Sequence, residues 1–484
     1  MFDMAIETLQ SILERQRQSF QHDSYPSLSL RRDRLNRIGR LLKENRQALC
    51  DVVSRDFGHR SDHETVQLEI APLMSALRHT RSHLRRWMKR ERRGRSIEFL
   101  QLANWVQYQP LGVIGIMVPW NYPLLLALGP LIDILAAGNR AIIKPSELLP
   151  ETSALLSKLV EAYFAPEEVA VIEGGVETAA AFSALPFDHL IFTGSTAVGR
   201  KVMASAAANL TPLTLELGGK SPALIAPDYP IADAARDIAF GKLMNAGQTC
   251  IAPDYVLVEK SKLGDFASAL ISQAEVFYPR QAGPQHAGPQ HAGPQHAGQE
   301  QYSSLVGARA HERLLKGLEE CRARGAKLIT ADIAMPSQGR VIAPTLVIDP
   351  PADCLLMEEE IFGPILPLIP YEDFDTALKF VRERPRPLAL YIFTGNRATE
   401  KNALTNTISG NVTINGTLLH IAQNDLPFGG IGPSGMGAYH GHEGFKRFSH
   451  ARGIAKVRLF NPARLAMPPY GRLAQLLARF MTRN

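Results

Sequence analysis

Cysteine is scarce in this chain, with four among 484 residues (Cys50, Cys250, Cys321 and Cys354) and none at paired spacing. That excludes a disulfide framework or a zinc ribbon as the basis of the fold and points to a reducing compartment, the cytoplasm. Long apolar runs are missing too. The longest, residues 113 to 137, is interrupted by Pro119, Asn121, Pro123, Pro130 and Asp133, so it reads as buried strand, loop and helix rather than a membrane span. The amino terminus has neither the basic start nor the apolar core of a signal peptide, and no export is expected. Charge of one sign is in small excess, net +6 with a pI near 9.1. The basic cluster from Arg81 to Arg95 holds only Trp87 as an aromatic partner and matches no nucleic-acid-binding module, so it reads as a solvated helix face.

What is present suits a large α/β protein. At 45% hydrophobic and 21% charged, the chain has material for two or three domains with substantial cores. Apolar positions three and four apart, such as Leu35, Ile38, Leu41 and Leu42, predict helices up to about Arg90. Residues 103 to 108 alternate as a strand would, and Gly112 to Val118 form a continuous apolar run, as in a strand buried on both faces of a parallel sheet.

That run ends at Pro119-Trp120-Asn121-Tyr122-Pro123, which puts the polar Asn121 at a strand's carboxyl end, where open α/β sheets place ligand-binding groups. The run Arg140 to Ile143 delivers Lys144-Pro145-Ser146-Glu147, a lysine and a carboxylate on a stiff turn that suit a ribose diol. His189 to Phe192 leads into Thr193-Gly194-Ser195-Thr196-Ala197-Val198-Gly199. There, backbone N–H groups and a hydroxyl can approach a pyrophosphate, although the spacing is not G-x-G-x-x-G. In Leu213 to Pro222, Glu216 breaks an apolar alternation just ahead of Gly218 and Gly219, and a carboxylate that is costly to bury marks a working group.

The stretch Asn245-Ala246-Gly247-Gln248-Thr249-Cys250 places a thiol behind a glycine, just before the apolar strand Val256 to Val258. A thiol attacks carbonyl carbon well and needs a permissive backbone to be approached, which makes Cys250 the candidate nucleophile. With Glu216-Leu217-Gly218-Gly219-Lys220 upstream and Glu360-Ile361-Phe362-Gly363-Pro364 downstream, the chain resembles the aldehyde dehydrogenase superfamily from about Arg31 to about Phe460. Ala252-Pro253-Asp254-Tyr255, Pro387 to Tyr391 and Ser434 to Gly441 are similar to the branch holding fatty, aromatic and coniferyl aldehyde dehydrogenases.

The resemblance implies a Rossmann-like cofactor domain (1–92 and 109–217), an α/β catalytic domain (218–430) and oligomerisation strands (93–108 and 451–460) that build a homodimer. It implies that Asn121 and the Cys250 N–H hold the oxyanion and that Glu216 is the general base. Lys144 and Glu147 would hold the adenosine ribose, with Gly194, Ser195, Gly199 and Leu217 along the cofactor, Glu360 on the nicotinamide ribose and Phe362 near the nicotinamide. Glu147 would repel a 2′-phosphate, so NAD is expected, with NADP possible. The expected reaction is oxidation of an aromatic or aliphatic aldehyde through a thioester on Cys250. A cysteine hydrolase or esterase would normally bring a histidine as base, and a non-catalytic binding protein would be expected to have lost Asn121, Glu216 or Cys250.

Three features stand apart. Ala-Gly-Pro-Gln-His runs in three copies from Ala282 to His296, inside an insertion at 281–300. Its proline period forbids a continuous helix, and His286, His291 and His296 read as solvated, with no metal site expected. The run Glu358-Glu359-Glu360 reads by itself as a helix start. In the tail, 461–484, the residues Leu473, Leu476, Leu477, Phe480 and Met481 form one helical stripe, for which packing on its own domain is favoured over contact with a membrane surface.

Overall fold

The computed structural model describes residues 2–96, 99–280, 301–337, 339–461, 463–464 and 467–482. Two parallel-rich sheets organise the chain. The first has six strands in the order Gly435–Met436, Leu213–Leu217, His189–Gly194, Val113–Met117, Arg140–Lys144 and Val169–Val171, and only the two-residue strand runs antiparallel. All five residues of Val113–Met117 and of Arg140–Lys144 are buried, because crossover helices cover the sheet. Strand order reverses between Val113–Met117 and His189–Gly194, and the crevice beyond the carboxyl ends of these two strands is where a doubly wound sheet binds ligands.

The crossover helix Pro123–Ala137 starts on a proline and stops at Gly138 in the left-handed region (φ 100°). A side chain at Gly138 would press on the Arg31 guanidinium, whose Nη1 donates to the last carbonyls, Ala136 O (2.9 Å) and Ala137 O (2.7 Å). At the helix's other end the buried Glu69 carboxylate accepts from Leu124 N (2.7 Å) and Leu125 N (3.0 Å) and pairs with Arg60 (2.6 Å). The helix that carries Tyr122 at its entry is thereby fixed at both ends.

The second sheet has seven strands in the order Lys327–Thr330, Thr345–Ile348, Ile365–Tyr371, Tyr255–Glu259, Pro222–Ile225, Ala389–Phe393 and Asn411–Ile414, parallel except at the first pair. One continuous apolar core joins both sheets and includes Leu35, Ile38, Leu41 and Leu42 of the helix Leu28–Glu44, each wholly buried.

A third, antiparallel sheet joins Glu91–Arg93, Leu102–Pro110 and Ser449–Val457, with nine paired positions from Ser449↔Pro110 to Val457↔Leu102. Its carboxyl-terminal strand starts earlier than the expected 451 and ends at Val457 rather than 460.

One reading of the sequence is corrected. The acidic run does not open a helix: the short helix Leu355–Glu358 ends in it, since Leu356 and Met357 are buried, and Glu359 is extended. The tail forms the helix Arg472–Met481, in which Leu476 and Met481 stand 62% and 56% exposed. The side chains of Leu473, Leu477 and Phe480, and the whole repeat with its three histidines, lie outside the described residues. No helix among the described residues is long and apolar enough to cross a membrane.

Candidate active site

The helix Ile231–Leu243 ends just before Asn245, Ala246 and Gly247, three successive residues with left-handed φ (53°, 50° and 77°). Such a run is strained for Asn and Ala and persists only because its surroundings over-determine it. A Cβ at Gly247 would sit 2.3 Å from Gly363 O, so only glycine fits. Asn245 N donates to Glu64 Oε1 (2.8 Å), and Gln248 Nε2 to Asn245 O (3.0 Å) and Ser304 O (2.9 Å), while Gln248 Oε1 accepts from Val306 N (2.8 Å). Thr249 Oγ1 lies 2.6 Å from Tyr122 Oη. The turn is thus pinned on every side, and it presents Cys250.

Asn121 is buried. Its Nδ2 donates one hydrogen to Gln248 O (3.1 Å), and its backbone carbonyl accepts from Asn245 Nδ2 (3.1 Å), which holds the residue beside the nucleophile turn. The amide's second hydrogen makes none of these bonds.

Glu216 stands in the strand Leu213–Leu217, paired with Gly435, and is 2% exposed with no hydrogen bond of normal geometry to either carboxylate oxygen. Burial pushes its carboxyl up to about 8, an effect that the facing Tyr439 hydroxyl only partly offsets. Glu360 is raised to about 8 chiefly by burial, with the Asp254 charge adding to it. The Cys250 thiol is pushed well above its ordinary range, first by burial and then by the charges of Glu216 and Glu360. Both carboxyls therefore act on the thiol, Glu216 from the strand Leu213–Leu217 and Glu360 from the loop that follows the helix Leu355–Glu358.

The other expected residues gather at the switch point. Lys144, 3% exposed, donates to Pro145 O (2.7 Å) and lies 3.6 Å from Glu147 Oε2, and burial lowers its pKa. Ser195 caps the helix Thr196–Ala207, which begins directly after Gly194 ends its strand. A Cβ at Gly199 would lie 2.7 Å from Leu217, so glycine draws this helix against the strand that bears Glu216. Phe362, in the left-handed region (φ 53°), packs edge-on against Trp120 with centroids 5.3 Å apart.

Cys250, Glu216, Thr249 and Tyr122 line a cavity of about 410 Å³. Its wall is mostly aliphatic and aromatic, with one stripe of the helix Pro123–Ala137 (Leu125, Leu126, Gly129 and Asp133) facing Leu418 and Ile421. Sequence reading overlooked Tyr439, although it lies inside Ser434 to Gly441, and Glu64, one of two carboxylates in the short polar helix Asp62–Thr65 with no signal to single it out.

Residues 5–454 match the model of the aldehyde dehydrogenase family. The chain belongs to that family. A probable coniferyl aldehyde dehydrogenase of Pseudomonas aeruginosa is 45% identical to this aldehyde dehydrogenase, over 98% of this chain and 96% of that one. A solved structure of the substrate-bound state of Staphylococcus aureus AldH superposes with a TM-score of 0.89 at 32% identity, covering 98% of this chain and 99% of that one. A Mycobacterium tuberculosis aldehyde dehydrogenase complexed with NAD+ superposes with a TM-score of 0.80 at 26% identity, over 94% and 91%. The protein is an NAD(P)-dependent oxidoreductase acting on the aldehyde group.

Proposed function

We propose that Cys250 is the nucleophile, Asn121 the oxyanion donor and Glu216 the general base for oxidation of an aromatic or apolar aldehyde to its acid. The observation that carries this reading is the meeting of Cys250 and Glu216 in the wall of one cavity, beside an Asn121 amide locked to the nucleophile turn. Cys250 sulfur bonds to the aldehyde carbon as its proton leaves to a base. The Asn121 Nδ2–H and the Cys250 N–H then face the resulting oxyanion, where fixed donors cost no reorganisation. When bound, NAD(P) would supply the acceptor for the hydride lost from the carbon bonded to Cys250, and that carbon, with the oxyanion electrons returned to a C=O bond, is then a thioester on Cys250. Glu216 then takes a proton from water, hydroxide attacks the thioester carbon, and the Cys250 sulfur leaves to regenerate the thiol. A carboxyl raised to about 8 is a stronger base than an ordinary one.

The residues present fit the cofactor. The helix Thr196–Ala207 offers its amino-terminal N–H groups just beyond Gly194 and Ser195, which suits a pyrophosphate. Lys144 and the half-exposed Glu147 suit the adenosine ribose, and Glu147 favours NAD over NADP. Leu217, Glu360 and Phe362 border the nicotinamide end. On this reading the six-stranded sheet is the cofactor domain and the seven-stranded sheet the catalytic domain.

The apolar wall suits a coniferyl-type or other aromatic aldehyde, or an alkyl one, and the coniferyl name of the Pseudomonas aeruginosa relative favours the first. His440 lines the same cavity, but burial drops it to about 4 and it stacks on Phe428 (5.2 Å), which suits a wall residue better than the base of a cysteine hydrolase. The strand Ser449–Val457 is nearly all exposed at a sheet edge, and pairing with a second copy would cover it in a homodimer. We place the enzyme in the cytoplasm.

The test is the absorbance of reduced cofactor with coniferyl, benzaldehyde-type and long alkyl aldehydes, using NAD and then NADP. Turnover that is greatest with aromatic aldehyde and NAD is expected. Absence of cofactor reduction with every aldehyde would overturn the assignment.

A further inference from the structure

Lys242 lies in the last turn of the helix that leads into the nucleophile turn, and it is 1% exposed. Its Nζ has no hydrogen-bond partner among the described residues. An ammonium is among the costliest groups to bury, and one with three unmet donors calls for an anion within reach. The helix's carboxyl end contributes a negative dipole but no specific acceptor.

The charges that bear on Lys242 are, in order, those of the Asp254 carboxylate, Lys220 and the Glu360 carboxylate. Asp254 is fully committed: Oδ2 pairs with Lys220 and Oδ1 accepts from Ile361 N (2.9 Å). Lys220 in turn donates to Leu356 O (2.8 Å) and Glu359 O (3.0 Å). Lys220 and Asp254 thus clamp the backbone on both sides of Glu360. In the structure the Glu360 carboxylate rests over Gly218, where a Cβ would fall 1.9 Å from Oε2, and is held by Gly219 N. That seat lies against the Leu217–Gly219 segment assigned above to the cofactor. Of the two carboxylates, only Glu360 is uncommitted to a cation.

We propose that Lys242 is a positioning residue for Glu360, its buried ammonium supplying the counter-charge that readies the Glu360 carboxylate for the hydroxyls of a nicotinamide ribose. Lys220 fixes the loop and also acts on the Glu360 carboxyl, and Lys242, which has no hydrogen-bond partner of its own among the described residues, adds its charge there. This division rests on the proposed placement of Glu360 on that ribose.

The test reads cofactor binding rather than turnover: the dissociation constant for NAD+ by calorimetry from pH 6 to 10, in the parent and in Lys242→Met, Glu360→Gln and the double variant. Met keeps the shape and removes the charge. Without Lys242, Glu360 holds its proton to higher pH, so at pH 7 the Lys242→Met protein binds NAD+ roughly 3- to 10-fold more weakly. The difference closes above about pH 8, where Lys242 itself becomes neutral. Glu360→Gln flattens the profile, and in that background Lys242→Met has no further effect.

A Lys242→Met profile that superposes on the parent, with Glu360→Gln still weakening NAD+, would overturn the proposal and leave Lys242 a tolerated buried amine, with a raised melting temperature as its only mark. If Glu360→Gln leaves NAD+ binding untouched, the ribose assignment itself fails. Lys242→Gln gives the same readout if the Met variant does not fold.

Discussion

At the scale of single residues, the site combines a thiol and two carboxyls whose burial makes all three prefer their protons at neutral pH. Cys250→Ser should therefore abolish cofactor reduction, because a serine hydroxyl is a far weaker acid still, while NAD+ binding measured by calorimetry should survive. Glu216→Gln should slow steady-state turnover by roughly 10² to 10⁴. A burst of reduced cofactor near one per site should remain, with the thioester on Cys250 visible by intact mass, and loss of the burst would move Glu216 to the first half of the reaction. In the parent, the thioester-hydrolysis rate should climb with pH to a plateau above about 8. The same carboxyl has a stability consequence of opposite sense. Its folded pKa exceeds the unfolded value of about 4.3, so the folded state binds the extra proton and stability falls as pH rises between them, by at most about 1.4 kcal/mol per pH unit. Glu216→Gln should then melt higher than the parent at pH 8, with a gap that narrows toward pH 5.

At the scale of elements, function depends on turns held in unfavourable backbone states. Gly247→Ala adds a Cβ at φ 77° that would lie 2.3 Å from Gly363 O, so the turn must shift. We expect a loss of roughly 1 to 3 kcal/mol in thermal or denaturant unfolding, together with a slower reaction of Cys250 with a thiol reagent. Unchanged thiol reactivity would mean that the turn does not set the position of Cys250.

These turns also mark the limit of what the sequence shows. Glu216 and Asn121 are legible because a polar residue inside an apolar run is costly unless it is used, and the strands around them because both faces are buried. The left-handed Asn245 and Ala246 are not legible, since their conformation is held by Gln248 close by and by Glu64 and Ser304 from distant parts of the chain. The acidic run at Glu358 misleads for a related reason: the helix ahead of it is only four residues long and is held by tertiary contacts, among them Leu355 N on Glu320 Oε2 (3.1 Å). Lys242 and Tyr439 sit in stretches whose local pattern is ordinary, and only the fold brings them to Glu360 and Glu216.

At the scale of the whole molecule, an edge strand and a repeat in the sequence invite a test. The first is the edge strand Ser449–Val457, whose nine residues pair on one side only. Proline at Gly453 or at Ile454 removes a backbone donor on one side or the other of the strand. Of the pair, the variant that loses the outward N–H should shift the enzyme from dimer to monomer in sedimentation velocity with little change in circular dichroism. Dimers that persist in both variants would place the interface elsewhere.

The second is the insertion between Tyr278 and Tyr302. Those two rings close on each other edge to face at 4.9 Å, both buried, and each is tied down separately, Tyr278 O by Ala334 N (3.0 Å) and Tyr302 Oη by Ile342 O (2.8 Å). The body of the enzyme therefore holds the ends of the insertion together without help from the repeat. Fifteen residues of identical pentapeptides also cannot complement a series of different local environments. Deleting Ala282 to His296 leaves a connection long enough to span the paired tyrosines, and by loop-closure entropy the shorter loop costs about 1 kcal/mol less to close. The deletion variant should match the parent in turnover and melt at the same temperature or slightly above it. A lower melting temperature with reduced turnover would show that the repeat packs on the catalytic domain, since the Tyr278–Tyr302 contact alone would then be insufficient to fix the segment next to Ser303 and Ser304, which hydrogen-bond to Glu64 and Gln248 behind the nucleophile turn.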